Sequence, residues 1–315
     1  MTKKRVLVTG GLGFIGSHLV DLLLKLKNID VTVMDNLSSD SSARANMRSG
    51  VTYWIDDIRN LNTVKYHPQA NGANKQAREL VEFDVIYHLA ALARIQPSFI
   101  DPLTYLDVDV MGTAHVLEYA RQYRSRVVYA GSSSAYADTM LNPYSFAKYT
   151  GEQMCEMYAK LYNMSTVTAR FFNVYGDRQP KTGPYATVVG VFEDQISRGA
   201  PLTVTGDGEQ RRDFTYVTDI VRGLVALSGQ TWKGEVFNLG SGRNYSINEL
   251  AQLFRPHQIR HIPARPGEAR VTLANISKTT EVTGWKPEFC LEEYIRNRIL
   301  RGHSPERLRN ILLKH

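Results

Sequence analysis

Apolar residues follow two alternating rhythms along the first half of the chain. Short runs dense in Val, Ile, Leu and Tyr occupy residues 4–9, 31–34, 51–55, 84–89 and 126–130, and between them apolar positions three and four apart mark residues 14–26 and 112–123. The short runs lack polar alternation, as strands covered on both faces do, and the longer stretches carry the period of amphipathic helices. Strand and helix in alternation predict a parallel sheet between two helical layers, a doubly wound α/β architecture. A further helix is predicted from Asn142-Pro143 to about Asn163, followed by a strand over residues 165–172. Beyond it Gly and Pro recur at Gly176, Pro180, Gly206, Gly208, Pro263, Pro266 and Gly267, which predicts a smaller, mixed α/β unit interleaved with the last elements of the sheet.

Composition narrows what such a chain can do. Its 315 residues, 43% hydrophobic and 22% charged, allow one large or two ordinary domains and exclude disordered and collagen-like classes. No apolar run approaches the ~20 residues that cross a bilayer, and the basic start runs into a strand, so a cytoplasmic protein without a membrane partner is expected. Cys155 and Cys290 stand alone, as reduced thiols do, and no metal set is expected. An excess of 38 basic over 31 acidic residues suits nucleic acid, a membrane surface or an anionic small molecule. The basic residues near the C-terminus, Arg298, Arg301, Arg307, Arg309 and Lys314, lack interleaved aromatics and read as a solvated helix, so no nucleic-acid partner is expected.

Candidate chemistry gathers at strand ends. Gly10, Gly13 and Gly16 lie at a strand-to-helix turn whose helix opens with Phe14 and Ile15. Bare backbone N–H groups there can approach a pyrophosphate at the positive end of the helix dipole. Asp35-Asn36 follows the second strand, where a carboxylate accepts from ribose hydroxyls and repels a 2′-phosphate, favouring NAD over NADP. Asp57-Ile58, past the third strand, either meets the adenine edge or caps a helix. Ser132 follows the strand at 126–130, and Tyr144 and Lys148, four apart, share one face of the next helix. An ammonium that close favours phenolate, so the Tyr144 phenol is expected below its ordinary pKa of ~10.

Taken together these motifs resemble the extended short-chain dehydrogenase/reductases of the nucleotide-sugar epimerase/dehydratase family. The resemblance runs from Arg5 to about Pro287: G-G-L-G-F-I-G at 10–16, D-N at 35–36, D-I-R at 57–59, H-L-A-A at 88–91, S-S-S-A-Y at 132–136 and Y-S-F-A-K at 144–148. It continues in R-F-F-N-V-Y-G at 170–176, R-D-F at 212–214 and R-P-G-E at 265–268. It implies a Rossmann-like NAD domain over residues 1–172 and 212–242, with Leu89, Ala90, Ala91 and Phe172 beside the cofactor, and a nucleotide-sugar domain over 173–211 and 243–315. Tyr144 would be the general base, Lys148 would hold the nicotinamide ribose and Ser132 the sugar 4-hydroxyl. Asn173, Arg212 and Arg265 would meet the diphosphate and Glu268 the uridine ribose. A UDP-sugar substrate and a homodimer are implied with them.

The residues beside Ser132 bear on the reaction. Dehydratases of the family carry Asp and Glu there; this chain has Ser133 and Ser134, which cannot expel water by acid and base, and 4-epimerisation is what remains. Thr272 occupies a gatekeeper position near carbon 2, and its small size leaves room for an N-acetyl group, so UDP-GlcNAc/UDP-GalNAc stands beside UDP-Glc/UDP-Gal. Arg94, on the loop after H-L-A-A, either pairs with the carboxylate of a UDP-uronic acid or faces solvent. A UDP-glucuronate epimerase or decarboxylase, a 4,6-dehydratase and a non-enzymatic NAD-sensing module are the rival readings; Ser132, Tyr144 and Lys148 argue against the last. The chain departs from the family pattern at Asp109, where Asn is usual in N-V-x-G-T, at Thr205, which replaces an aromatic, and in a shortened segment between Ser132 and Tyr144. That shortening predicts a more open pocket, or one completed by another segment.

Overall fold

The structure, a computed structural model, describes residues 3–38, 43–62, 66–68, 75–77, 81–136 and 138–301. Its main sheet has seven strands, β1 (Lys4–Thr9), β2 (Ile29–Met34), β3 (Val51–Trp54), β4 (Val85–His88), β5 (Arg126–Ser132), β6 (Thr166–Phe171) and β7 (Lys233–Leu239). They are ordered β7-β6-β5-β4-β1-β2-β3, every neighbouring pair parallel. Chain order reverses between β1 and β4, so their C-terminal ends open the crevice in which such sheets bind ligands.

Strand pleating divides the apolar side chains between two layers. Val6 and Val8 of β1 face one, against Leu19, Val20 and Leu23 of α1 (Phe14–Lys25) and Ile220, Val221 and Leu224 of a helix at Val217–Ser228. Leu7 faces the other, with Val116 and Leu117 of α2 (Gly112–Tyr123) and Cys155 and Tyr158 of α3 (Pro143–Tyr162). The buried positions on each helix recur three and four apart, as the sequence spacing predicts. Burial pushes the Cys155 thiol up to about 12, which leaves it unreactive at neutral pH.

A third core, built from Phe192, Val204, Phe214, Leu250, Phe254 and Leu291, forms the smaller lobe. There Leu202–Thr205 pairs in parallel with Ile259–Ile262, and Arg211–Asp213 antiparallel with Asn244–Ser246. Helix Leu291–Arg301 closes this lobe; the basic residues beyond it lie outside the described residues. Among the described residues no helix is long and apolar enough to cross a membrane, and no group of three metal-ligating side chains is present.

Candidate active site

A cavity of about 940 Å³ runs from the glycine turn after β1, past the ends of β4 and β5, to the smaller lobe. At its first end the walls are mostly main chain. Gly10 has φ +69°, and a Cβ there would lie 2.8 Å from the Ala90 amide nitrogen; a Cβ on Gly16 would collide with the Gly10 carbonyl oxygen. Only glycine lets β1, α1 and the 89–91 loop approach this closely, and Gly13 at the N-cap leaves the helix amides open to the cavity. Asp35 is buried and accepts the Leu12 and Leu37 amides at 2.9 and 2.8 Å. Burial raises its pKa and these amides oppose the rise. Asp57 caps the turn at Ile58–Asn60 by accepting the Arg59 amide, pairs with the Arg59 guanidinium and accepts from Asn36 Nδ2 at 3.0 Å. Its pKa is held low by the Arg59 bond, which keeps it charged, and it lines the cavity as well, so the capping alternative describes its bonds. Phe14, Ile15, Ile58, Leu89, Ala90 and Ala91 line the same end. These residues fit a dinucleotide: a bare-amide turn, a helix N-terminus and two cavity-lining carboxylates past the ends of β2 and β3.

Phe172 is not among them. Strand β6 ends at Phe171, which lines the cavity, and one residue further on the side chain points the other way, fully buried against the Tyr136 ring at 5.6 Å. The two-residue period of the backbone makes Phe171 the contact that the motif put at 172.

Ser132 ends β5, and Tyr144 enters from the first turn of α3. That helix starts where it does because Asn142 Oδ1 accepts the Ser145 amide at 2.7 Å and Pro143 presets the first turn. The Tyr144 hydroxyl donates to Ser132 Oγ at 3.4 Å, and its amide donates to Ser98 Oγ. Lys148 is buried with its ammonium 4.4 Å from the centre of the Tyr129 ring. The expected low phenol pKa is reversed: burial raises Tyr144, the Ser132 bond and Arg94 oppose the rise, and Asp109 adds to it. Burial likewise lowers Lys148, against Asp109. Spacing on a helix places two side chains on one face but says nothing of how dry that face is. His88 is fully packed between Thr9 and Thr113 at 2.8 and 3.0 Å and stays neutral, its pKa about 3.

At the far end, Arg212 is buried and donates to Glu268 at 3.3 Å, so the two residues expected on different parts of a nucleotide also hold each other. Asn173, Arg265, Ser133 and Thr272 line the cavity beside them; Thr272 Oγ1 is buried without a partner. Arg94 does not face solvent. Its guanidinium lines the cavity and gives Nε and Nη2 to the Tyr185 carbonyl at 3.0 and 2.6 Å. The shortened segment before Tyr144 is met by the R-P-G-E loop, as Asn142 Nδ2 donates to the Gly267 carbonyl and Gln96 to that of Pro266, both at 2.9 Å. Tyr185 and Phe171 also line the cavity, Phe171 from within the R-F-F-N-V-Y-G motif.

Comparison with known proteins agrees with this geometry. The model of the NAD-dependent epimerase/dehydratase family matches residues 6–240. A putative UDP-glucose 4-epimerase of Methanocaldococcus jannaschii is 34% identical, covering 92% of this chain and 96% of its own length. A UDP-glucuronate 4-epimerase of Thermodesulfobacterium geofontis is 30% identical over 93% of this chain and 94% of its own. The crystal structure of Thermotoga maritima UDP-glucose 4-epimerase with UDP-glucose superposes with a TM-score of 0.83 at 29% identity, covering 98% of this chain and 99% of that one. A Rossmann-like sheet, a glycine turn shaped for a dinucleotide and a Ser-Tyr-Lys set at its mouth thus coincide with a family match over most of the chain, and the protein belongs to the NAD-dependent epimerase/dehydratase family.

Proposed function

We propose that the protein epimerises a UDP-sugar at carbon 4. The reading is carried by the contact of Tyr144 Oη with Ser132 Oγ inside the cavity, flanked by Ser133 and Ser134 where elimination would need carboxylates. Gly10, Gly13, Gly16, Asp35, Asn36 and Lys148 would hold NAD, which when bound supplies reversible hydride acceptance at carbon 4 and so a transient 4-keto sugar. Ser132 orients the 4-hydroxyl, and Tyr144 takes its proton and returns it. Arg212 and Arg265 meet diphosphate oxygens, Glu268 accepts from the uridine ribose, and Asn173 completes that end. Hydroxyls at 133 and 134 cannot act as acid and base at neutral pH, so water is retained. Thr272, small and buried, leaves space beside carbon 2 for an N-acetyl group.

One observation favours a second reading of the sugar. Arg94 brings a positive charge next to Tyr144 and, among the described residues, forms no ion pair; such a charge suits a carboxylate on carbon 5, as in a UDP-uronic acid. Turnover of UDP-Glc, UDP-GlcNAc and UDP-GlcA, with products separated by anion exchange, tests both readings. A 4-epimer without loss of water or CO₂ is expected. Release of either from every substrate turned over would overturn the epimerase reading, and preference for UDP-GlcA would decide the sugar.

A further inference from the structure

Asp109 lies on a single π-helical turn, Leu106–Met111, between Pro102–Tyr105 and α2 and directly behind α3. Such insertions concentrate at functional sites. The side chain is 2% exposed; Oδ1 accepts the Leu92 amide at 2.8 Å, and Oδ2 is buried without a partner. An asparagine, the residue of the family motif, would fill the same space without the charge. A carboxylate so placed needs a cation, and the neighbouring elements offer one. From α3 come Lys148 and Tyr144, from the preceding turn Tyr105, from β5 Tyr129 and from the loop over the cavity Tyr185. The other charged and titratable groups nearby are engaged elsewhere: Arg59 with Asp57 and Asp107, Glu118 with Arg121, Glu152 with Arg170, Arg94 with the Tyr185 carbonyl, His88 with Thr9 and Thr113, and His115 with Asn62. Lys148 has no hydrogen-bond acceptor among the described residues, only the Tyr129 ring beneath it.

We propose that Asp109 is a positioning residue that acts through charge: without a direct ion pair its carboxylate balances the charge of Lys148, and its ionisation sets how readily Tyr144 gives up its proton. The inference rests on the catalytic reading of Tyr144 and Lys148. Burial lifts the Asp109 carboxyl to about 7, with Lys148 opposing, so its proton exchanges with solvent near neutrality. Ionised, it keeps Lys148 charged against its burial and repels a phenolate at Tyr144; protonated, it does neither.

The test pairs infrared titration with a pH–rate profile on the full-length protein. In the wild type a protonated-carboxyl C=O band should disappear as pH rises through about 7. It should be absent in Asp109→Asn, which keeps the acceptor for the Leu92 amide, and should persist to higher pH in Lys148→Met, where the balancing charge is gone. The acid limb of kcat/KM should move to lower pH in Asp109→Asn. No titrating band near neutrality, a band unmoved by Lys148→Met, or identical acid limbs would overturn the proposal. A wild type that shows the band, with its shift in Lys148→Met, but turns over no UDP-sugar would instead refute the catalytic reading, leaving the Asp109–Lys148 coupling in place.

Discussion

The two ends of the cavity are built on opposite plans. Around the glycine turn the polar groups are satisfied before any ligand arrives: Asp35 by the Leu12 and Leu37 amides, Asp57 by Arg59 and Asn36. Around Tyr144 they are not, for Asp109 Oδ2 and Thr272 Oγ1 are buried without partners, and Lys148 and Arg94 find no carboxylate at ion-pair distance among the described residues. A buried unsatisfied polar group costs about 1–3 kcal/mol, and a ligand that supplies the missing partner recovers it. On the proposed reading the first end would bind NAD by shape and main chain, and the second would carry the selectivity for the sugar.

Substitutions that separate these plans are ordered by effect. Tyr144→Phe removes the proposed general base; turnover should fall roughly 10²–10⁴-fold, the range for such a loss, with UDP affinity in calorimetry unchanged. Asp109→Asn should raise stability instead. Asp109 sits at about 7 in the folded protein against 3.8 unfolded, so the folded state holds the extra proton between those values. The stability this gives is complete below pH ~4 and lost as pH rises through ~7. Urea unfolding should show the variant ahead by at most about 4 kcal/mol at pH 8, less the cost of an unpaired amide and of a Lys148 left without that balancing charge, with the gap closing at pH 4. A constant gap across pH would remove the contrast between the ends. Arg212→Ala breaks the buried contact with Glu268 and should weaken UDP binding by about 2 kcal/mol, near 30-fold, while NAD binding is unaffected. Gly10→Ala tests the shape-built end: a Cβ at φ +69° against Ala90 should cost about 1–2 kcal/mol of stability and weaken NAD binding, followed by fluorescence titration, with UDP binding retained.

How much of this was legible in the sequence follows the same division. The glycine turn, the N-cap at Asn142 and the end of α3 at Asn163, which has φ +53°, are local signals, and the elements fall within a residue or two of where spacing puts them. The contact of Ser132 with Tyr144 was readable because a strand end and a helix start are both local features. The inward turn of Arg94, the raised Tyr144 phenol and the exchange of Phe172 for Phe171 were not. Each depends on which surface closes over the residue, and that is decided by the Tyr185 loop, by the dryness of the α3 face and by the register of β6. Asp109 lies between these cases: its departure from N-V-x-G-T is visible in one line of sequence, and its missing partner only in three dimensions.

The Asn142 side chain joins the Tyr144 helix to the smaller lobe. One amide caps the helix carrying Tyr144 through its oxygen and holds the R-P-G-E loop of the smaller lobe through its nitrogen. With Gln96 as the loop's second tie, a displacement of the R-P-G-E loop is therefore transmitted through Asn142 to the first turn of α3, which carries Tyr144.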